Sequence, residues 1–151
     1  MRISPKKEMR TISVHTSKYA EVYYNPGEKL LLMNWNITTE EMTDEEYRQL
    51  VSELTGLLIK EANEKEYQFQ KYLLDNRFFL YVIPEETQRW QKDHIFNKLI
   101  KMGGRRIAVV MSEAYLSQHF IEQTFRESQE VHLITQYFHD PAQAHSWLLS
   151  E

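Results

Sequence analysis

The sequence predicts an α/β fold: a single layered domain with a mixed five-stranded sheet and four helices, in the order β-β-α-β-α-β-α-β-α. Three observations lead there. Short β-prone or apolar runs alternate along the chain with segments of helical periodicity, the pattern of parallel strands joined by crossover helices. The first two runs are separated only by a tight turn, which makes an antiparallel start. The 151 residues, 42% apolar and 26% charged, suffice for one hydrophobic core, and they contain no linker, internal repeat or low-complexity stretch.

Each element has a local reason. Residues 1–18 carry Pro5, several charges and no sustained periodicity, and read as an arm or weak edge strand ahead of the domain at 19–151. Residues 19–25 are β-prone and lead into Asn25-Pro26-Gly27, where proline presets φ and glycine accepts a positive one. The run at 29–36 follows, apolar enough to be buried on both faces. Thr43-Asp44-Glu45-Glu46 has the form of a capping box. Behind it Tyr47, Leu50, Val51, Leu54, Leu57 and Leu58 fall on one face of a helix extending to about Ala62. Residues 69–74 read as a strand. Pro84 opens a second helix, stopped by Gly103-Gly104. Residues 106–111 are the clearest buried strand, and Ser112-Glu113 caps a third helix to about Glu127. Residues 131–138 form the last strand. Asp140 as N-cap with Pro141 at the first helical position then opens a short helix through Leu149.

Composition excludes whole classes of function. The chain has no cysteine, hence no disulfide, thiolate metal site or cysteine nucleophile. A net charge of −4 offers no general attraction to nucleic acid, and no apolar run approaches the ~20 residues of a membrane span. With four glycines, neither a dinucleotide-binding fingerprint nor a P-loop can be written, and no cofactor is expected. The N-terminus lacks a signal-peptide core, so a cytoplasmic location is expected.

Several segments together carry a resemblance: residues 72–77 (Tyr-Leu-Leu-Asp-Asn-Arg), Trp90, residues 107–113 with Ser117-Gln118, Gln136-Tyr137-Phe138 and Trp147-Leu148. They resemble a family of small bacterial proteins with the STAS fold, similar to SpoIIAA, an anti-sigma-factor antagonist. The resemblance implies a mixed sheet with helices packed on it and no known catalytic activity. Phosphoswitch members carry a Ser or Thr acceptor at the start of the helix after the third strand. Here Ile83 stands before Pro84, and the nearest hydroxyl, Thr87, follows Glu85 and Glu86, whose charges would repel a phosphate. No phosphorylation site is expected.

Three places could carry function. Asp75-Asn76-Arg77 sits where a strand hands over to a loop, the usual ligand position in α/β sheets; Asp75 can equally accept loop N–H groups and pair with Arg77. Phe78-Phe79-Leu80-Tyr81-Val82-Ile83 is an apolar run where a solvated loop is expected; it is either an interface or pocket rim, or an extension of the core. On the following helix Ile95, Leu99 and Met102 share one side, with Trp90, His94 and Asn97 roughly opposite, a position suited to a homodimer contact or a ligand lid. His119 and Glu122 have the spacing of two ligands on one helix face but lack a third, so no metal site is expected. Lys98, Lys101, Arg105 and Arg106 form a basic cluster that the helix C-terminus itself favours. The expectation is a non-catalytic interaction module, a homodimer or the partner of another protein. The alternative is a carrier of a small apolar ligand near the strand ends. An enzyme would need titratable groups such as His94 or His119 brought beside Asp75.

Overall fold

Six strands lie side by side in the order in which the chain makes them. The computed structural model describes residues 11–112 and 133–150. The strands are β1 (Ile12–Thr16), β2 (Ala20–Asn25), β3 (Leu30–Trp35), β4 (Lys71–Asp75), β5 (Arg106–Val110) and β6 (Ile134–Phe138). β1, β2 and β3 pair antiparallel, and β3 through β6 pair parallel. The fold is therefore α/β with a mixed sheet, but of six strands rather than five. The additional strand, at the sheet edge, lies in the stretch read as an arm or weak edge strand. Its apolar-polar alternation, Ile12-Ser13-Val14-His15, is too short to mark a strand by itself, and the pairing register slips between Ser13 and His15, a β-bulge at Val14.

Helix α1 (Asp44–Lys65) joins β3 to β4 and starts from the anticipated capping box: Glu46 N–H donates to Thr43 Oγ1, and Thr43 N–H to the Glu46 carboxylate. A short 3-10 turn, Ile37–Glu41, precedes it. Helix α3 (Pro141–Leu149) follows β6, with Asp140 accepting from Ala142 N–H. The third helix expected near residues 112–127, with His119 and Glu122, lies outside the described residues.

Helix α2 connects β4 to β5 and is not a uniform α-helix. Its α-helical turns Glu85–Gln91 and Asn97–Lys101 flank a π-helical turn, Lys92–Phe96. A π turn absorbs one extra residue, and this overturns the helical-wheel placement of Trp90. In a regular helix Trp90 lies about 140° from Ile95. With one residue absorbed the offset falls to about 40°, and Trp90 packs partly buried against the core beside Ile95 and Leu99. His94 and Asn97 remain exposed. Gly103, at φ +98°, ends the helix in a Schellman motif, with Gly103 N–H donating to Ile100 and Gly104 N–H to Leu99.

The sheet's two faces are covered differently. Strand alternation sends Leu31, Met33, Trp35, Tyr72, Ile107 and Val109 to the face covered by α1 and α2. Right-handed crossovers stepping in one direction leave their helices on one side, and α1 and α2 share this face. Leu30, Leu73, Ala108 and Val110 face the other way, where α3 seals them with Ala144 and Leu148.

The glycines give a paired prediction. A Cβ on Gly104 would sit 2.8 Å from the Leu99 carbonyl oxygen, whereas one on Gly56, inside α1, would meet nothing within 4 Å. Gly104→Ala should destabilise by about 1–3 kcal/mol and Gly56→Ala should stabilise by about 0.5–1 kcal/mol. Urea titration of each variant checks both signs.

Candidate functional site

Leaving β4, the chain turns sharply, with Phe79 N–H donating to Asn76 C=O at 3.1 Å and Asn76 N–H to Val110 C=O at 2.8 Å. The Arg77 guanidinium clasps Asp75 in two-pronged fashion at 2.9 and 2.7 Å, and Arg77 N–H adds a third bond to the same carboxylate. Burial pushes the Asp75 carboxyl up, but the hydrogen bonds and charge of Arg77 outweigh it and hold the carboxyl below its usual range. The Asn76 side-chain carbonyl is buried without a partner among the described residues. Asp75 stands in a row with Asn34 and Val110, on the α3 face of the sheet.

The apolar run divides by alternation. Phe79, Tyr81 and Ile83 turn inward and pack against the α1–α2 core. Phe79 lies 4.5 Å from Trp35, ring to ring, and Tyr81 lies 5.3 Å from Tyr47. Phe78, Leu80 and Val82 turn outward, 56%, 43% and 83% exposed. This period-two pattern is that of an extended segment. The core reading thus holds for Phe79, Tyr81 and Ile83, while Phe78, Leu80 and Val82 are exposed. The aromatic cluster and Asp75 sit on opposite faces of the sheet, so the two sequence candidates do not converge.

Two polar knots hold the loop. Fully buried Thr39, on the 3-10 turn, accepts from Leu80 N–H at 2.9 Å, and its hydroxyl hydrogen is shared between Asn36 C=O at 2.8 Å and Phe78 C=O at 3.2 Å. On that same turn Ile37 is 62% exposed. At the start of α1, Asp44 accepts from the Tyr81 hydroxyl, from the Thr87 hydroxyl at 2.7 Å and from Arg48 at 2.9 Å. These hydrogen bonds, Tyr81 first, lower the Asp44 carboxyl below its ordinary range; burial and then Asp44 raise the Tyr81 phenol in return. Arg48 also donates to Thr87 and lies 5.1 Å over the Trp90 ring. Thr87 is itself buried, its hydroxyl committed to this knot. His94 stacks on Trp90 at 5.7 Å and contacts the Trp90 carbonyl through Nδ1, away from Asp75's turn in both chain and contacts.

Sequence reasoning missed Thr39, Asp44, Arg48 and Thr87 as supports. The i, i+4 spacing of Asp44 and Arg48 was an available signal; nothing local marks Thr39. Among the described residues no group of three or more His, Asp or Glu is arranged to hold a metal ion, and no helix is long and apolar enough to cross a membrane. Compared with known proteins, the chain matches no family model, no curated protein and no solved structure.

The Asp44 knot makes stability depend on pH. Because its folded-state carboxyl lies below the unfolded value of about 4, its contribution is complete above that value and is lost as pH falls through the lower one. Asp44→Asn should lower stability at pH 7 by about 1 kcal/mol, a small figure because the carboxylate is one-third exposed. It should also flatten the decline below about pH 4, measured as urea midpoints from pH 7 to pH 3.

Proposed function

We propose that the chain is a non-catalytic interaction module that docks through the outward half of the 78–83 loop, with Phe78, Leu80 and Val82 as its contact side chains and Ile37 at the flank. The observation that carries this reading is the loop's division. Its inward residues already fill the core, so core packing accounts for Phe79, Tyr81 and Ile83 but leaves Phe78, Leu80 and Val82 in water. Burying such side chains is worth roughly 1.5–3 kcal/mol each. The segment is also braced for the task. Thr39 and Asp44 fix its backbone and its inward side, which limits the ordering cost of association. Trp90 supports the same region through Arg48 rather than standing out as a contact of its own.

In architecture the reading is STAS-like. Its support is the antiparallel start followed by parallel strands with intervening helices, together with the residue segments that resemble that family. A regulatory role without catalysis accords with the Asp75–Arg77 pairing, which commits the loop's one strand-end carboxylate to a structural contact.

The test is a double variant, Phe78→Asp with Val82→Asp. Both side chains are exposed, so folding stability should stay within about 0.5 kcal/mol of the parent. Self-association by sedimentation equilibrium should weaken by at least about tenfold, or ~1.4 kcal/mol. Equal association by parent and variant would overturn the reading. So would a native mass spectrum showing a bound molecule of a few hundred daltons on each chain, which would make the protein a carrier.

A further inference from the structure

The loop's backbone, as well as its side chains, is incomplete. In an extended segment the N–H and C=O of one residue point to one edge and those of the next to the other. The edge shared by Phe78 and Leu80 faces the 3-10 turn, where Thr39 occupies Phe78 C=O and Leu80 N–H. The opposite edge belongs to Phe79, Tyr81 and Ile83. There Phe79 N–H is taken by Asn76 C=O and Ile83 C=O by the Gln88 side chain. Among the described residues, Phe79 C=O, Tyr81 N–H, Tyr81 C=O and Ile83 N–H make no hydrogen bond.

These four groups form a self-complementary set. In an antiparallel pair, residues facing each other exchange both hydrogen bonds, and the next such pair lies two residues along each strand. A two-fold axis through Tyr81 would let Tyr81 of each copy exchange both bonds with Tyr81 of the other, and Ile83 N–H of each donate to Phe79 C=O of the other. Every free group on that edge is then used. The two groups beyond them, Phe79 N–H and Ile83 C=O, are those already satisfied within the chain. The set reads the same from both ends, as a contact between identical chains requires and a contact with a different partner does not.

Resting on the docking reading above, we infer that the occupant is a second copy of this chain, whose residues 79–83 pair antiparallel with the same residues about a two-fold axis at Tyr81. One other feature agrees with that register. It places Leu80 of one copy opposite Val82 of the other as a non-hydrogen-bonded pair, the kind in which side chains approach most closely, so the outward residues cover one another across the axis.

Because the chain has no cysteine, cross-linking reads this register without background. Leu80→Cys and Val82→Cys each alter an exposed side chain. Facing positions of this type lie within the ~4.4–6.8 Å between Cα atoms that a disulfide spans, whereas equivalent positions sit on a diagonal of about 7–8 Å. An equimolar mixture of the two variants should therefore give disulfide-linked dimer roughly an order of magnitude in excess of either variant alone. On the unaltered chain, amide exchange at Tyr81 and Ile83 should slow as concentration rises, while Val82 on the other edge stays fast. Dimer formed by Leu80→Cys or Val82→Cys alone, with no excess in the mixture, would overturn strand pairing and leave a face-to-face contact of the same patch. No cross-link and no concentration-dependent protection, with Phe78→Asp/Val82→Asp still weakening association, would place the second copy elsewhere on the patch and likewise overturn the pairing.

Discussion

The Asp44 carboxylate is the tie on which the site depends. It stands at the first turn of α1 and accepts from Tyr81 in the loop, Thr87 in α2 and Arg48 one turn further along its own helix. One side chain thus ties the start of α1 to the loop and to the helix that follows it, some 40 residues on. For a carboxylate exposed over about a third of its surface, a charged hydrogen bond contributes about 1 kcal/mol, comparable to what an aromatic pair adds beyond its burial, about 0.5–1.5 kcal/mol. The Phe79–Trp35 and Tyr81–Tyr47 contacts share the task with the carboxylate: they pack the ring faces, and Asp44 anchors the Tyr81 hydroxyl at the ring's far end. Thr39 repeats the arrangement from the opposite side with a hydroxyl in place of a charge.

Most of the architecture was legible because it rests on local chemistry. The capping box at Thr43, the Gly103-Gly104 stop and the Asp140-Pro141 start each depend on residues within a few positions of one another, and each element lies where that chemistry puts it; the turn after Asn25 also lies where it was read, but its positive φ falls on Lys29, at 57°, and not on Gly27. Asp75–Arg77 belongs with them, a contact over two residues. What could not be read depends on longer range or on an irregularity. The alternation of β1 spans only five residues, too few to mark a strand by themselves, and the π turn at Lys92–Phe96 shifted the wheel on which Trp90 was placed. The loop was illegible for another reason. Six consecutive apolar residues carry no period, since inward and outward positions look alike when both are apolar. Only Thr39 and Asp44, some 40 residues upstream, set which three face the core.

The sheet also separates two kinds of chemistry that lie close in sequence. Asp75 and Arg77 close the α3 face at the end of β4, and within a few residues the chain has crossed to the α1–α2 face, where Phe79 and Tyr81 complete the aromatic cluster. The Asp75–Arg77 pair fixes the path of that crossing, and its rigidity is what lets an otherwise water-facing apolar segment begin from a defined direction. Loops positioned by a rigid scaffold are a common seat of recognition. Here the scaffold includes the loop's own first residues.

Strand order in this sheet is the order of the chain, and that bears on how the molecule comes together. Each strand from β2 onward pairs with the strand made just before it, so no strand waits for a neighbour encoded later. Sheets built of such near-sequential pairings close shorter loops than interleaved ones and fold correspondingly faster. A chain emerging from synthesis can extend the sheet stepwise from its N-terminal meander. The other face is a different matter: among the described residues, Leu73, Ala108 and Val110 are covered by Ala144 and Leu148, near the end of the sequence. The smaller part of the core, packed under α3, is thus the last to gain that cover, and until then its apolar strands are what a chaperone would find.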